Sequence, residues 1–246
     1  MYINYYLLQF KTGGEYTLVD DYRDDTLASF FNGGQELQNL KDYVAEMENH
    51  SDFEYLSLYS NPLGMGYNES VPESVYAYGD KSVSYYGARK LISVNALEVS
   101  GNAVRHFGFD LPETMRYAGE DAGELPVLLG AEYAGVYVEG DTFPLMYFGM
   151  DFMAVVQEVL PEGMEINRRK ETTILDNYII VPFVECPELP ITDAERRFQA
   201  ISYSCRANGD AYLDADYSFG SFRKEIRRLA EKYGLPPMVH YQLDVY

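Results

Sequence analysis

Hydrophobic spacing along the chain changes period several times, and each change marks an element. Residues 2–10 alternate Ile3, Tyr5 and Leu7 with Tyr2, Tyr6 and Leu8. Both faces of that stretch are apolar, which predicts a Tyr-rich strand inside a sheet. A turn at Thr12-Gly-Gly14 leads to a hairpin partner at 15–20. After the break at Asn32-Gly-Gly34, Leu37, Leu40, Val44 and Met47 recur at helical spacing with acids opposite. This predicts a helix over 35–48. Residues 52–59 read as a strand, and 75–78 with 83–86 read as a hairpin about Gly79-Asp80.

The middle of the chain is less regular. Residues 91–104 read as a strand followed by a helix, or as one amphipathic helix interrupted at Gly101. Residues 127–139 have strand composition with two internal glycines, which predicts a bend. Residues 151–160 predict a helix stopped by Pro161, and 173–184 is a β-branched, apolar run.

Towards the C-terminus the signals sharpen. Thr192-Asp-Ala-Glu195 has the form of a capping box, in which hydroxyl and carboxylate reciprocally satisfy backbone amides. Phe198, Ile201 and Cys205 then share a helical face that closes at Asn208-Gly209. Phe222, Ile226, Leu229 and Tyr233 define a second helix, stopped by Gly234 and Pro236. The fold class is therefore α+β: a mixed or antiparallel sheet with N-terminal Tyr-rich strands, a helix near 35–48, and two C-terminal helices at about 192–207 and 221–233. A single domain over 1–246 is expected, with a possible seam within 109–126, where Pro112, Gly119 and Gly123 interrupt an acidic stretch.

Composition adds a charge problem. The chain has 39 Asp and Glu against 19 Lys and Arg, a net charge of −20, with 24 Tyr and no Trp. A protein that grips nucleic-acid phosphates needs surplus positive charge to displace counterions, so direct nucleic-acid binding is disfavoured. Anionic membrane surfaces are disfavoured for the same reason. The acidity is uneven: residues 1–60 and 121–180 each carry an excess of 8 negative charges, and the other two quarters 2 each. No run of about 18 apolar residues is present, and the first ten residues lack the pattern of a secretion signal. A cytoplasmic protein with reduced Cys186 and Cys205 is the expectation.

Motifs for chemistry are sparse. Residues 214–225 place acids at positions 1, 3 and 12 of a calcium-loop pattern, but Phe219 stands where the turn glycine belongs. Asp214 and Asp216 read better as an acidic lead-in to a helix. His50, His106 and His240 show no zinc spacing with the two cysteines, and Cys205 falls on an apolar helical face rather than beside a base. No glycine loop has the form of a phosphate cradle. Neither a metal nor a cofactor is expected. The bases Arg223, Lys224, Arg227 and Arg228 stack at i, i+4 on the last helix, which predicts that acids of the same chain face them.

These features point to an acidic, non-enzymatic binding protein that occupies a basic site on a nucleic-acid-handling protein, in the manner of a phage or mobile-element inhibitor of host defence or of an immunity protein against a nuclease toxin. Asp20, Asp21, Asp24, Asp25, Glu120, Asp121 and Glu124 are its candidate partner contacts. Two alternatives are a hydrolase or transferase with a dispersed acid and tyrosine site, and a phage structural or assembly protein.

Overall fold

A computed structural model describes residues 12–19, 24–117, 123–168, 171–236 and 240–243, with backbone alone for 24, 25 and 240–243. The expected strand at 2–10 lies outside them. In chain order the elements begin with β1 (Thr12–Val19), α1 (Asp24–Phe30), α2 (Gln35–Glu48), β2 (Phe53–Leu56), β3 (Leu58–Ser60) and β4 (Leu63–Gly66). There follow β5 (Val83–Tyr86), β6 (Arg89–Val94), β7 (Ala96–Val99), α3 (Gly101–Phe107), β8 (Met115–Arg116) and β9 (Glu124–Leu129). β10 (Thr142–Tyr147), β11 (Met150–Val159), β12 (Glu165–Arg168), β13 (Glu171–Ile174), β14 (Ile179–Pro182) and β15 (Val184–Glu185) continue the strands. The chain closes with α4 (Asp193–Arg206), β16 (Gly209–Ser218), α5 (Phe219–Lys232) and β17 (His240–Leu243).

Two compact units divide these elements: Met1–Leu58 with Leu189–Tyr246, and Tyr59–Glu188. The segment 109–126 lies inside the second unit, and the chain passes between units at 58–59 and 188–189.

The first unit is an antiparallel sheet, ordered β17-β1-β16-β2, with helices packed on it. Its α2 matches the expected 35–48 helix residue for residue, because Leu37, Leu40, Val44 and Met47 all bury. Thr192 and Glu195 form the capping box of α4, and Ser218 caps α5 through the Ser221 amide. Phe222 of α5 meets Phe53 edge-on at 5.2 Å, while Phe219 stacks on Tyr16 at 4.7 Å. Such aromatic contacts tie the last helix to β1 and β2. Arg206 at the end of α4 reaches Glu48 at the end of α2 through Nε at 3.2 Å and Nη2 at 2.5 Å, both side chains largely buried.

The second unit holds a nine-stranded mixed sheet, ordered β3-β7-β14-β9-β11-β10-β4-β6-β5. β6 runs into β7 across Asn95 although the two stand near opposite ends of that order. Tyr147 on β10 reaches Glu98 on β7, so the sheet curls back on itself. Its central strands are buried on both faces, as Val127, Leu128 and Leu129 on β9 and Ile179, Ile180 and Val181 on β14 show.

Three expectations change. Residues 151–160 are not helical but form most of β11, with Phe152, Ala154 and Val156 buried at a strand period of two. Pairing with β10 on one side and β9 on the other overrides an ambiguous pattern. The hairpin near 75–86 is displaced: residues 73–75 and 77–79 are single 3-10 turns, and β5 pairs with β6 instead. Gly87, at φ +59°, supplies the left-handed residue that a two-residue hairpin turn needs. The strand expected over 52–59 is split at Ser57, whose hydroxyl donates to the Arg206 carbonyl at 2.6 Å. Over 91–104 the strand-then-helix reading holds, and Ser100 caps α3 through the Ala103 amide. Among the described residues no helix is long and apolar enough to cross a membrane.

Candidate acidic interaction face

Residues paired across an antiparallel ladder project on the same side of the sheet, and neighbours along a strand alternate. In the first unit one side is the aromatic core, where Tyr16, Ala211 and Tyr55 form one row. The next row, Glu15, Tyr212 and Glu54, therefore faces away from α5. Tyr212 donates its hydroxyl to Glu15 Oε1 at 3.0 Å, which holds that carboxylate across the strands. Pairing continues beyond β2, where the Asp214 amide donates to the Asp52 carbonyl. Within β16 the period of two puts Asp214 and Asp216 on the side of Tyr212, while Asp52 precedes β2. Asp52, Glu54, Asp214 and Asp216 are exposed and Glu15 is half-buried.

No Lys or Arg occurs anywhere in β1, β2 or β16. Alternate positions along a strand stand about 6.8 Å apart, and Glu15 and Glu54, with β16 between them, stand two strand spacings apart, about 9.6 Å. At one end the row Thr17, Asp210 and Leu56 is buried, with Thr17 Oγ1 donating to Asp210 Oδ1 at 2.9 Å. That contact fixes the register at the end of the acidic rows.

Positive charge of this unit is carried by the helices, and much of it is matched there. Arg228 and Lys232 of α5 both reach Glu46 of α2, and Arg228 also binds Glu225. Burial raises Glu46, but hydrogen bonds from Lys232, Tyr233 and Arg228 outweigh it and hold the carboxyl below its ordinary value. Arg228 does the same for Glu225, and Glu46 lifts Lys232 above the usual lysine range. The last helix thus meets acids of its own chain through Arg228.

Of the seven candidate contacts read from the sequence, Asp20, Asp21, Glu120 and Asp121 lie outside the described residues. Asp24 and Asp25 open α1. Glu124 is exposed at the start of β9, in the second unit. The sheet brings Glu15 and Glu54 from the first acidic block together with Asp214 and Asp216 from the nearly balanced C-terminal quarter. A signal for them was present: 52/54 and 214/216 are acids repeating at the period of a strand face.

The chemistry tested in the sequence resolves as geometry. Residues 214–218 are extended strand leading directly into α5, so they do not wrap into a cation loop. Among the described residues no group of three or more His, Cys, Asp or Glu is placed to hold a metal ion. His50 stacks on Phe53 at 4.0 Å, its Nδ1 accepts the Asp52 amide, and its Nε2 lies 3.3 Å from Glu225. Both ring nitrogens are thus engaged within the network, away from thiol chemistry. Cys205 is buried in the packing of α4, and Cys186 is buried in the other unit.

No protein-family model matches this chain, no curated protein matches it, and no solved structure matches it.

Proposed function

We propose that this chain is an acidic, non-enzymatic binding protein whose helix-free sheet face occupies a basic site on a nucleic-acid-handling protein. One observation carries the reading: four carboxylates, Glu15, Glu54, Asp214 and Asp216, on three strands that contain no Lys or Arg. A rigid sheet presents these charges in regular rows, as a nucleic acid presents phosphates, and the net charge of −20 adds long-range attraction to a basic partner. Tyr212 supplies contact area and a hydrogen-bonding tip at low entropy cost. The class of partner is a nuclease or another DNA- or RNA-binding protein, and the biological role is inhibition or immunity. Asp20, Asp21, Asp24, Asp25, Glu120, Asp121 and Glu124 form a second candidate set.

The test is a pull-down from bacterial lysate eluted stepwise with salt, repeated with Glu54→Lys/Asp214→Lys/Asp216→Lys. A basic nucleic-acid-binding protein should be retained at low salt, released as salt rises, and lost with the triple variant. Retention of that partner by a folded triple variant would remove this face from the reading. Loss only on reversing the seven-residue set would move the contact there.

A further inference from the structure

The second unit contains a groove of about 790 Å³ where the ends of β4, β6 and β10 meet. Its size falls in the range of small-molecule sites, and Leu91, Phe143 and Pro144 are its apolar lining. Two side chains on its wall carry opposite charges that the protein leaves unmatched. Lys90 lays its ammonium on the Tyr67 ring, 3.3 Å from the centroid, and forms no ion pair among the described residues. Glu69, on the same wall, forms none either. Arg89 differs, because Asp151 neutralises it at 2.5 Å.

The unmatched pair is close in the backbone. The Tyr67 amide donates to the Lys90 carbonyl at 2.9 Å, so those residues are strand neighbours. Glu69 follows Tyr67 by two residues, no more than about 6.8 Å further along. A third polar group completes the wall. Tyr137, packed on Phe143 at 5.0 Å, accepts the Asn68 side-chain amide at 3.2 Å and keeps its own hydroxyl hydrogen to donate.

We infer that this groove binds a free aromatic α-amino acid. Its carboxylate meets Lys90, its ammonium meets Glu69, and its ring rests on the apolar floor. A chain-internal residue has neither terminal charge and a simple aromatic acid has only one, so the paired charges select the free zwitterion. This site is separate from the acidic face and does not depend on it.

The absence of Trp from the chain makes L-tryptophan a background-free fluorescent probe. Titrating the full chain into L-tryptophan, tryptamine and indole-3-propionate should give saturable binding of the first. Each analogue should bind about tenfold more weakly, the equivalent of one lost charge contact. Lys90→Gln should bring tryptophan down to the level of tryptamine, and Glu69→Gln down to that of indole-3-propionate. Both side chains are exposed, and circular dichroism is the check that each variant folds. No saturation at millimolar tryptophan, equal binding of the three compounds, or variants that leave the ranking unchanged would overturn the inference.

Discussion

At the residue scale the most consequential group is Glu98, fully buried on β7. Its Oε2 accepts the Tyr147 hydroxyl at 3.0 Å, while Oε1 has no hydrogen-bond partner. Burial pushes this carboxyl well above the usual carboxylate range, and the Tyr147 hydrogen bond offsets only part of that. The folded state therefore keeps a proton that the unfolded chain releases near the ordinary glutamate value. The stability contributed by Glu98 is fully present below that value and is lost as pH rises above it. Glu98→Gln, neutral and nearly isosteric, removes the dependence. Thermal melts between about pH 5 and pH 8 should show the variant gaining on the wild type as pH increases. Parallel curves would mean that the carboxyl titrates as in water. Nothing in the run Leu97-Glu98-Val99 announces this, because an acid in a strand pattern reads as a solvent-facing position until the curled sheet covers it.

At the element scale the helices were the legible part. α2 follows from periodicity and α4 from periodicity and its capping box, signals that are local and act within about one turn. In α4 the carboxylate of Glu195 accepts the Thr192 and Ile191 amides, and these hydrogen bonds hold it below its ordinary value. That stabilisation is present above the usual glutamate range and fades as pH falls through the lowered value. Thr192→Ala should cost about 1 kcal/mol in urea unfolding, and Thr192→Ser should restore most of it. Equal stability of the alanine variant would mean that α4 is held by packing alone. Strands were harder to read. β11 shows why: Phe152, Val155, Val156 and Leu160 satisfy a helical spacing, while Phe152, Ala154 and Val156 satisfy a strand spacing. Only partners on both sides decided between them.

At the scale of the whole molecule, charge dominates. A net −20 destabilises the compact state through self-repulsion, which salt screens. The melting temperature should therefore rise between about 10 mM and 150 mM NaCl, while affinity for a basic partner falls over the same range. A melting temperature that falls with salt would show that matched pairs such as Glu46 with Lys232 outweigh the repulsion. In the first unit, placement of charge matters more than its total. Bases gather on α4 and α5, and the strands β1, β2 and β16 carry acids alone.

The sequence by itself determined the α+β class, the helix at 35–48, both C-terminal helices with the Thr192–Glu195 capping box of the first, and the acidic character of the surface. Each rests on interactions between residues a few positions apart or on composition. Tertiary structure alone decided which acids share a face. Glu15, Glu54 and Asp214 are joined by ladder hydrogen bonds between segments as much as about 200 residues apart, and register is set by packing of the opposite, aromatic side. The same holds for the groove, where Lys90 and Tyr67 become strand neighbours only because β4 and β6 pair. Strand pairing is a long-range choice among many compatible partners, and no local pattern encodes which one is taken.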